Sequence, residues 1–138
     1  MQINPYLVFN GNCEEAFNFY ARCLRGELVS VQRFGETPGC EDMPASHRDK
    51  IMHVRLQAGD QVLMASDNHP AHPYEGVKGC SIALSVDEAD EADRIFNELS
   101  EGGAVVMPMQ ETFWAKRFGM LTDRFGVPWM INGAMQGG

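Results

Sequence analysis

No apolar run in the 138 residues approaches the roughly 20 residues that a bilayer-spanning helix needs, so no membrane helix is expected. Residues 1 to 20 lack a basic start followed by an apolar stretch and a small-residue cleavage site, which makes a cytoplasmic location the expectation. A basic field is missing too. Eleven Lys and Arg stand against 19 Asp and Glu, a formal net charge of −8, and the basic residues are scattered. Nucleic acid and anionic membrane surfaces are bound through Lys/Arg fields, so neither is expected as a partner. The four cysteines, Cys13, Cys23, Cys40 and Cys80, form no CxxC pair, and their separations of 10, 17 and 40 residues fit no zinc template. They read as reduced, small hydrophobic residues. No GxGxG occurs, and Gly102-Gly103 follows a helical stretch instead of preceding one, which argues against methyl transfer of the usual adenosylmethionine-dependent kind.

What is present is an ordinary globular composition, 44% hydrophobic and 22% charged, in a length that suits one domain. Nine methionines suit an adaptable apolar cavity as well as a plain core. Residues 3 to 9 read as a strand, with Asn12 as a helix N-cap after the turn Asn10-Gly11. Glu14 and Glu15 suit the positive end of a helix dipole, Ala16, Phe17, Tyr20, Cys23 and Leu24 fall at helical spacing, and Gly26 is placed to end the helix in a left-handed conformation. Strands follow at 27–34, 51–57 and 61–66, the last two joined by the turn Ala58-Gly59-Asp60, while 35–49 reads as a loop excursion.

The turn-rich segment 67–79 reads as a linker, and after it the order repeats. A strand at 81–86 precedes a helix capped by Asp87, with Ala89, Ala92, Ile95, Phe96 and Leu99 as its apolar stripe and Gly102-Gly103 as its stop. Strands follow at 104–110, 117–122 and 127–132. A shift of 76 positions lays Ala16 on Ala92, Tyr20 on Phe96, Cys23 on Leu99 and Gly26 on Gly102. The expected fold is α+β: two tandem βαβββ modules, about 1–66 and 80–138, forming a half-open eight-stranded cup within a single domain. Such a cup would hold a small-molecule ligand.

Two stretches carry a family resemblance. Phe9-Asn10-Gly11-Asn12-Cys13-Glu14-Glu15-Ala16-Phe17-Asn18-Phe19-Tyr20 resembles the entry to the first helix in the vicinal-oxygen-chelate (glyoxalase/bleomycin-resistance) superfamily. Residues 113–130, FWAKRFGMLTDRFGVPWM, resemble the C-terminal signature of its PhnB-like branch, which has also carried the label 3-demethylubiquinone-9 3-methyltransferase. Metal-dependent members of the superfamily place His or Glu at four strand positions. The resemblance puts these at Pro5, Met64, Ser81 and Met130, none of which is a hard nitrogen or oxygen ligand of that type, so no metal and no other cofactor is expected.

With those four residues facing the cup, strand alternation adds Leu7, Phe9, Val62, Ser66, Ala83, Ser85, Pro128 and Asn132, and sends His53 and Arg55 inward while Met52, Val54 and Leu56 face the helix. Trp114 is the aromatic wall or lid, and Ser66, Ser81, Met64, Met130 and Asn132 are candidate ligand contacts. Trp129 alternates to the core. His53 can serve as acid, base or donor, or can be a structural histidine beside Arg55. Arg55 can pair with an anionic substrate, or with one of the chain's own acids. His69 and His72 read as exposed loop residues, and Asp123 as a turn residue capping backbone N–H groups. The resulting expectation is a binding protein for a small, partly apolar molecule. The alternatives are a metal-independent enzyme using His53 and Arg55, and a metal enzyme with relocated ligands. A homodimer is expected, because open sheet edges need cover.

Overall fold

A computed structural model describes residues 1–136. The chain divides into two compact units, Met1–Gly76 and Val77 onward. In the first unit the order is β1 (Tyr6–Phe9), α1 (Cys13–Leu24), β2 (Glu27–Arg33), β3 (Ile51–Ala58) and β4 (Gln61–Asp67). In the second it is β5 (Ile82–Val86), α2 (Ala89–Leu99), β6 (Ala104–Gln110), β7 (Ala115–Thr122) and β8 (Pro128–Met135). The sheets run β1-β4-β3-β2 and β5-β8-β7-β6, with the first pair of each parallel and the others antiparallel. The fold is therefore α+β, built of two βαβββ modules in tandem. The division between the units falls inside the expected linker, but β4 takes in Asp67, which the sequence reading gave to that linker.

In the first unit α1 covers one face of the sheet. Its acidic first turn and apolar stripe do what the spacing predicts: Phe17 meets Phe9 edge-on at 6.1 Å and Tyr20 at 5.5 Å, with Ala16 and Cys23 also buried. Each such aromatic side chain is worth roughly 1.5–3 kcal/mol in burial. Asn12 stands at the N-cap but its side chain makes no cap bond; its backbone oxygen accepts from the Ala16 N–H at 3.0 Å. At the far end Arg25, not Gly26, takes the left-handed conformation, with φ 52°. Gly26 is needed for closeness, because a Cβ there would lie 2.6 Å from the Gln57 carbonyl oxygen.

Gly103 repeats that approach in the second unit, 2.3 Å from the Thr122 oxygen, while Gly102 supplies the positive φ. The structural equivalent of Gly26 is thus Gly103, one position beyond the pairing that the 76-residue shift suggested. The second helix begins at Ala89 behind Glu88, one residue later than a cap at Asp87 would place it, and the Glu88 oxygen accepts from the Ala92 N–H at 3.2 Å. Trp129 lies in the core as expected, and Asp123 holds its turn by accepting from the backbone N–H groups of Phe125 and Val127 and from the Trp129 indole, at 2.9, 3.0 and 2.8 Å.

Asp67 plays a related part in the first unit. It is 2% exposed, and its two oxygens accept from the Cys13 N–H at the start of α1 (2.9 Å) and the Ile51 N–H at the start of β3 (2.8 Å). Burial, reinforced by that carboxylate, pushes the Cys13 thiol far above its ordinary range and leaves it inert. Replacing Asp67 with Ala leaves two backbone donors without their acceptor. Urea unfolding should show a loss of about 2–4 kcal/mol, and a smaller one for Asp67→Asn, which keeps one oxygen.

The loop between β2 and β3 is anchored by Arg33, which donates to Glu14 at 2.7 and 3.1 Å and to the Asp49 oxygen at 2.9 Å. The hydrogen-bonded guanidinium holds the Glu14 carboxyl below its ordinary range. The pair is partly exposed, so solvent screening limits its worth to under about 1 kcal/mol. A depressed folded-state value stabilises above the unfolded one, near 4.3, and loses that effect as pH falls through the folded value. Glu14→Gln should therefore be slightly destabilising at neutral pH, with the difference from the parent protein closing progressively below about pH 4.

Candidate ligand-binding faces

A single helix can cover only one side of a four-stranded sheet, so each unit presents a second, helix-free face. In the first unit the β1–β4 register pairs Tyr6 with Met64 and Val8 with Ser66, and β3 sets Arg55 beside Met64. Tyr6, Met64 and Arg55 therefore form one row across three strands. Alternation along β3 puts His53 on the same side, and the Tyr6 hydroxyl lies 3.2 Å from His53 Nδ1. The rings are 5.8 Å apart and tilted by 32°. The Arg55 side chain makes no hydrogen bond or ion pair among the described residues. The expectation for β1 is corrected here: Leu7 and Phe9 are buried under α1, Tyr6 and Val8 take the other side, and Pro5 precedes the strand. On β3, likewise, it is Ile51 and not Met52 that is buried with Val54 and Leu56, next to a register irregularity between Gln32 and Arg33.

In the second unit β5 and β8 pair Ala83 with Met130 and Ser85 with Asn132, and β7 sets Met120 beside Met130 and Phe118 beside Asn132. Trp114, just before β7, donates its indole N–H to Asn132 Oδ1 at 3.1 Å and meets Phe118 edge-on at 5.1 Å. That bond leaves the Asn132 amide nitrogen with no hydrogen-bond partner of its own among the described residues, and it is not one of the fully enclosed polar atoms. Met107 of β6 stands opposite Met120 and adds a third thioether to the row. Ser81 lies before β5 and is exposed.

Of the residues singled out from sequence, His53, Arg55, Met64 and Ser66 thus share one face, and Trp114, Met130 and Asn132 share another. Tyr6, Phe118 and Met120 were missed. Phe118 and Met120 could have been found by counting outward from Trp129, since Leu121 pairs with that core residue and fixes the phase of β7. Tyr6 could not, because Tyr6-Leu7-Val8-Phe9 is apolar on both sides and carries no alternation to read.

The residues present do not fit the metal that the superfamily's His/Glu sites would hold. The corresponding rows offer the thioethers of Met64 and Met130 beside Tyr6 and Ala83, and no group of three His, Cys, Asp or Glu among the described residues is arranged to hold an ion. The His69 and His72 rings lie 5.5 Å apart and tilted in the segment after β4, with Phe34 6.4 Å from His69, and gather no further ligands among the described residues.

The repeated module and the motifs on it define the class: residues 2–131 match the glyoxalase/bleomycin resistance protein/dioxygenase superfamily, and the chain belongs to that family, in its PhnB-like branch. Protein YjdN of Escherichia coli K12 is 37% identical over 140 residues, spanning 96% of this chain and 95% of its own. The crystal structure of protein PA1353 from Pseudomonas aeruginosa is 59% identical, with a TM-score of 0.89 over 96% of this chain and 97% of that one. A PhnB protein from Bacillus cereus, named as a candidate 3-demethylubiquinone-9 3-methyltransferase, is 27% identical with a TM-score of 0.79 over 97% and 100% of the two chains.

Proposed function

We propose that this protein binds a small, partly apolar organic molecule on its helix-free sheet faces, without a metal. The observation that carries the reading is the Trp114–Asn132 pair: an indole fixed by its own N–H, edge-on to Phe118, beside an amide whose nitrogen still has donors to give. Met107, Met120 and Met130 next to it supply soft, adaptable apolar surface. An aromatic and apolar surface with one fixed polar group is the usual make-up of a small-molecule site. A second reading, metal-independent catalysis by His53 with Arg55, is favoured by the Tyr6–His53 contact, which gives the imidazole a proton partner. The same reading takes the chain as a homodimer, because β2 and β6 end their sheets with Val29, Val31, Val105 and Val106 exposed, and keeps the cytoplasmic location expected from the sequence.

Tryptophan emission tests the binding reading, since Trp129 is buried against Asp123 and only Trp114 stands at the open face. A neutral aromatic compound such as 1-naphthol should quench saturably in the parent protein and not in Trp114→Phe. Asn132→Ala should weaken its binding roughly 5- to 10-fold, the worth of about one hydrogen bond. Equal quenching in Trp114→Phe would place the compound elsewhere, and steady conversion of the compound would favour the catalytic reading. Elemental analysis of untagged protein should give far less than one zinc, nickel, iron or manganese per chain; a stoichiometric ion would end the metal-free part of the proposal.

A further inference from the structure

The first unit's open face combines features that a neutral apolar ligand does not use. The Arg55 side chain is exposed and has no partner among the described residues, on a face where the four strands place no other Lys or Arg; Arg33, at the end of β2, is engaged by Glu14. The one strand acid on that side by register is Glu27, opposite Gln57, and no ion pair joins it to Arg55. On the same face, across β4 from Arg55, Tyr6 and Val8 leave apolar surface open, at 48% and 44% exposure. The Tyr6–His53 pair offers a donor in either imidazole tautomer. If the hydroxyl donates to Nδ1, the ring's Nε2–H is left to donate; if Nδ1–H donates to the phenolic oxygen, the hydroxyl is left.

From this we infer that the face formed by Tyr6, Val8, His53, Arg55 and Met64 is a carboxylate site, taking a monoanionic carboxylic acid with an apolar body. The inference rests on the reading that the helix-free faces are ligand surfaces, and it names the class of ligand for one of them. A guanidinium matches a carboxylate through two parallel N–H···O bonds, and the Tyr6–His53 donor can reach a carboxylate or a neighbouring polar group from the adjacent row. A single Lys or Arg on the strands of this face suits a single negative charge; a phosphate dianion would call for a second cation that those strands do not supply. The apolar body of the acid would lie over Met64 and Val8.

The test is an NMR titration of the whole protein at neutral pH with benzoate, phenylacetate and hexanoate, each beside its own amide, and with phenyl phosphate. The signals followed are the Arg55 Nε–H and the His53 ring. At least one carboxylate should shift both saturably and bind at least tenfold more tightly than its amide. Arg55→Gln, at an exposed position, should erase that preference by lowering carboxylate affinity at least tenfold while leaving the amide's unchanged, and Tyr6→Phe should weaken the carboxylate several-fold. The proposal is overturned if carboxylate and amide bind alike, if Arg55→Gln changes nothing, if no carboxylate binds, or if phenyl phosphate binds tenfold more tightly than benzoate. In any of those cases, 1-naphthol quenching through Trp114 would still stand as evidence for the broader reading, so the two can fail separately.

Discussion

Everything distinctive about this molecule follows from the limited reach of a single helix. Twelve residues of α1 or eleven of α2 can shield one side of a four-stranded sheet and no more. Strand alternation then divides each sequence in two, half of its side chains packed under the helix and half left on the helix-free side, where in the second unit Trp114 packs against Phe118 and Asn132. The core half is dense with aromatic and aliphatic groups. The other half is where Tyr6, His53, Arg55, Trp114 and Asn132 are found, and the backbone pleat separates it from the core.

The repeat makes this separation visible. The strand registers pair Tyr6 with Ala83, His53 with Phe118, Arg55 with Met120, Met64 with Met130 and Ser66 with Asn132 as corresponding positions of the two units. On the core side the correspondence preserves character at Ala16 and Ala92 and at Gly26 and Gly103. On the open side it does not: one unit carries a phenol, an imidazole and a guanidinium where the other carries a methyl group, a phenyl ring and a thioether. Two copies of one scaffold have diverged into a face rich in proton donors and a face rich in polarizable apolar surface.

The elements that the sequence revealed well are those with one-sided patterns. The apolar stripes of both helices, the turn at Ala58-Gly59-Asp60 and the core place of Trp129 follow from local spacing, and the family resemblance drew on the first helix and on the stretch that holds Trp129. The phase of β1 was not readable, because four consecutive apolar residues leave alternation undefined, and only the parallel pairing with β4 decides it. Asp67 was misassigned for a related reason. An acidic residue next to Asn68 and His69 looks like loop, and its burial depends on N–H groups from Cys13 and Ile51, 54 and 16 positions away. Long-range pairing of that kind leaves no local trace.

Gly133 offers a different lesson. A Cβ at this position would sit 2.4 Å from the Cβ of Ala92, so β8 and α2 approach each other over two residues that have no room to grow. Its counterpart in the first unit is Asp67, which turns the same strand position into a bridge between the starts of α1 and β3. The two modules have thus reached opposite answers at one address: one closes the gap by removing a side chain, the other fills it with a carboxyl group whose two oxygens accept backbone N–H groups. Exchanging these residues between the modules would not be a symmetric operation, and a chimera made of two identical halves would have to choose one of the two helix placements for both.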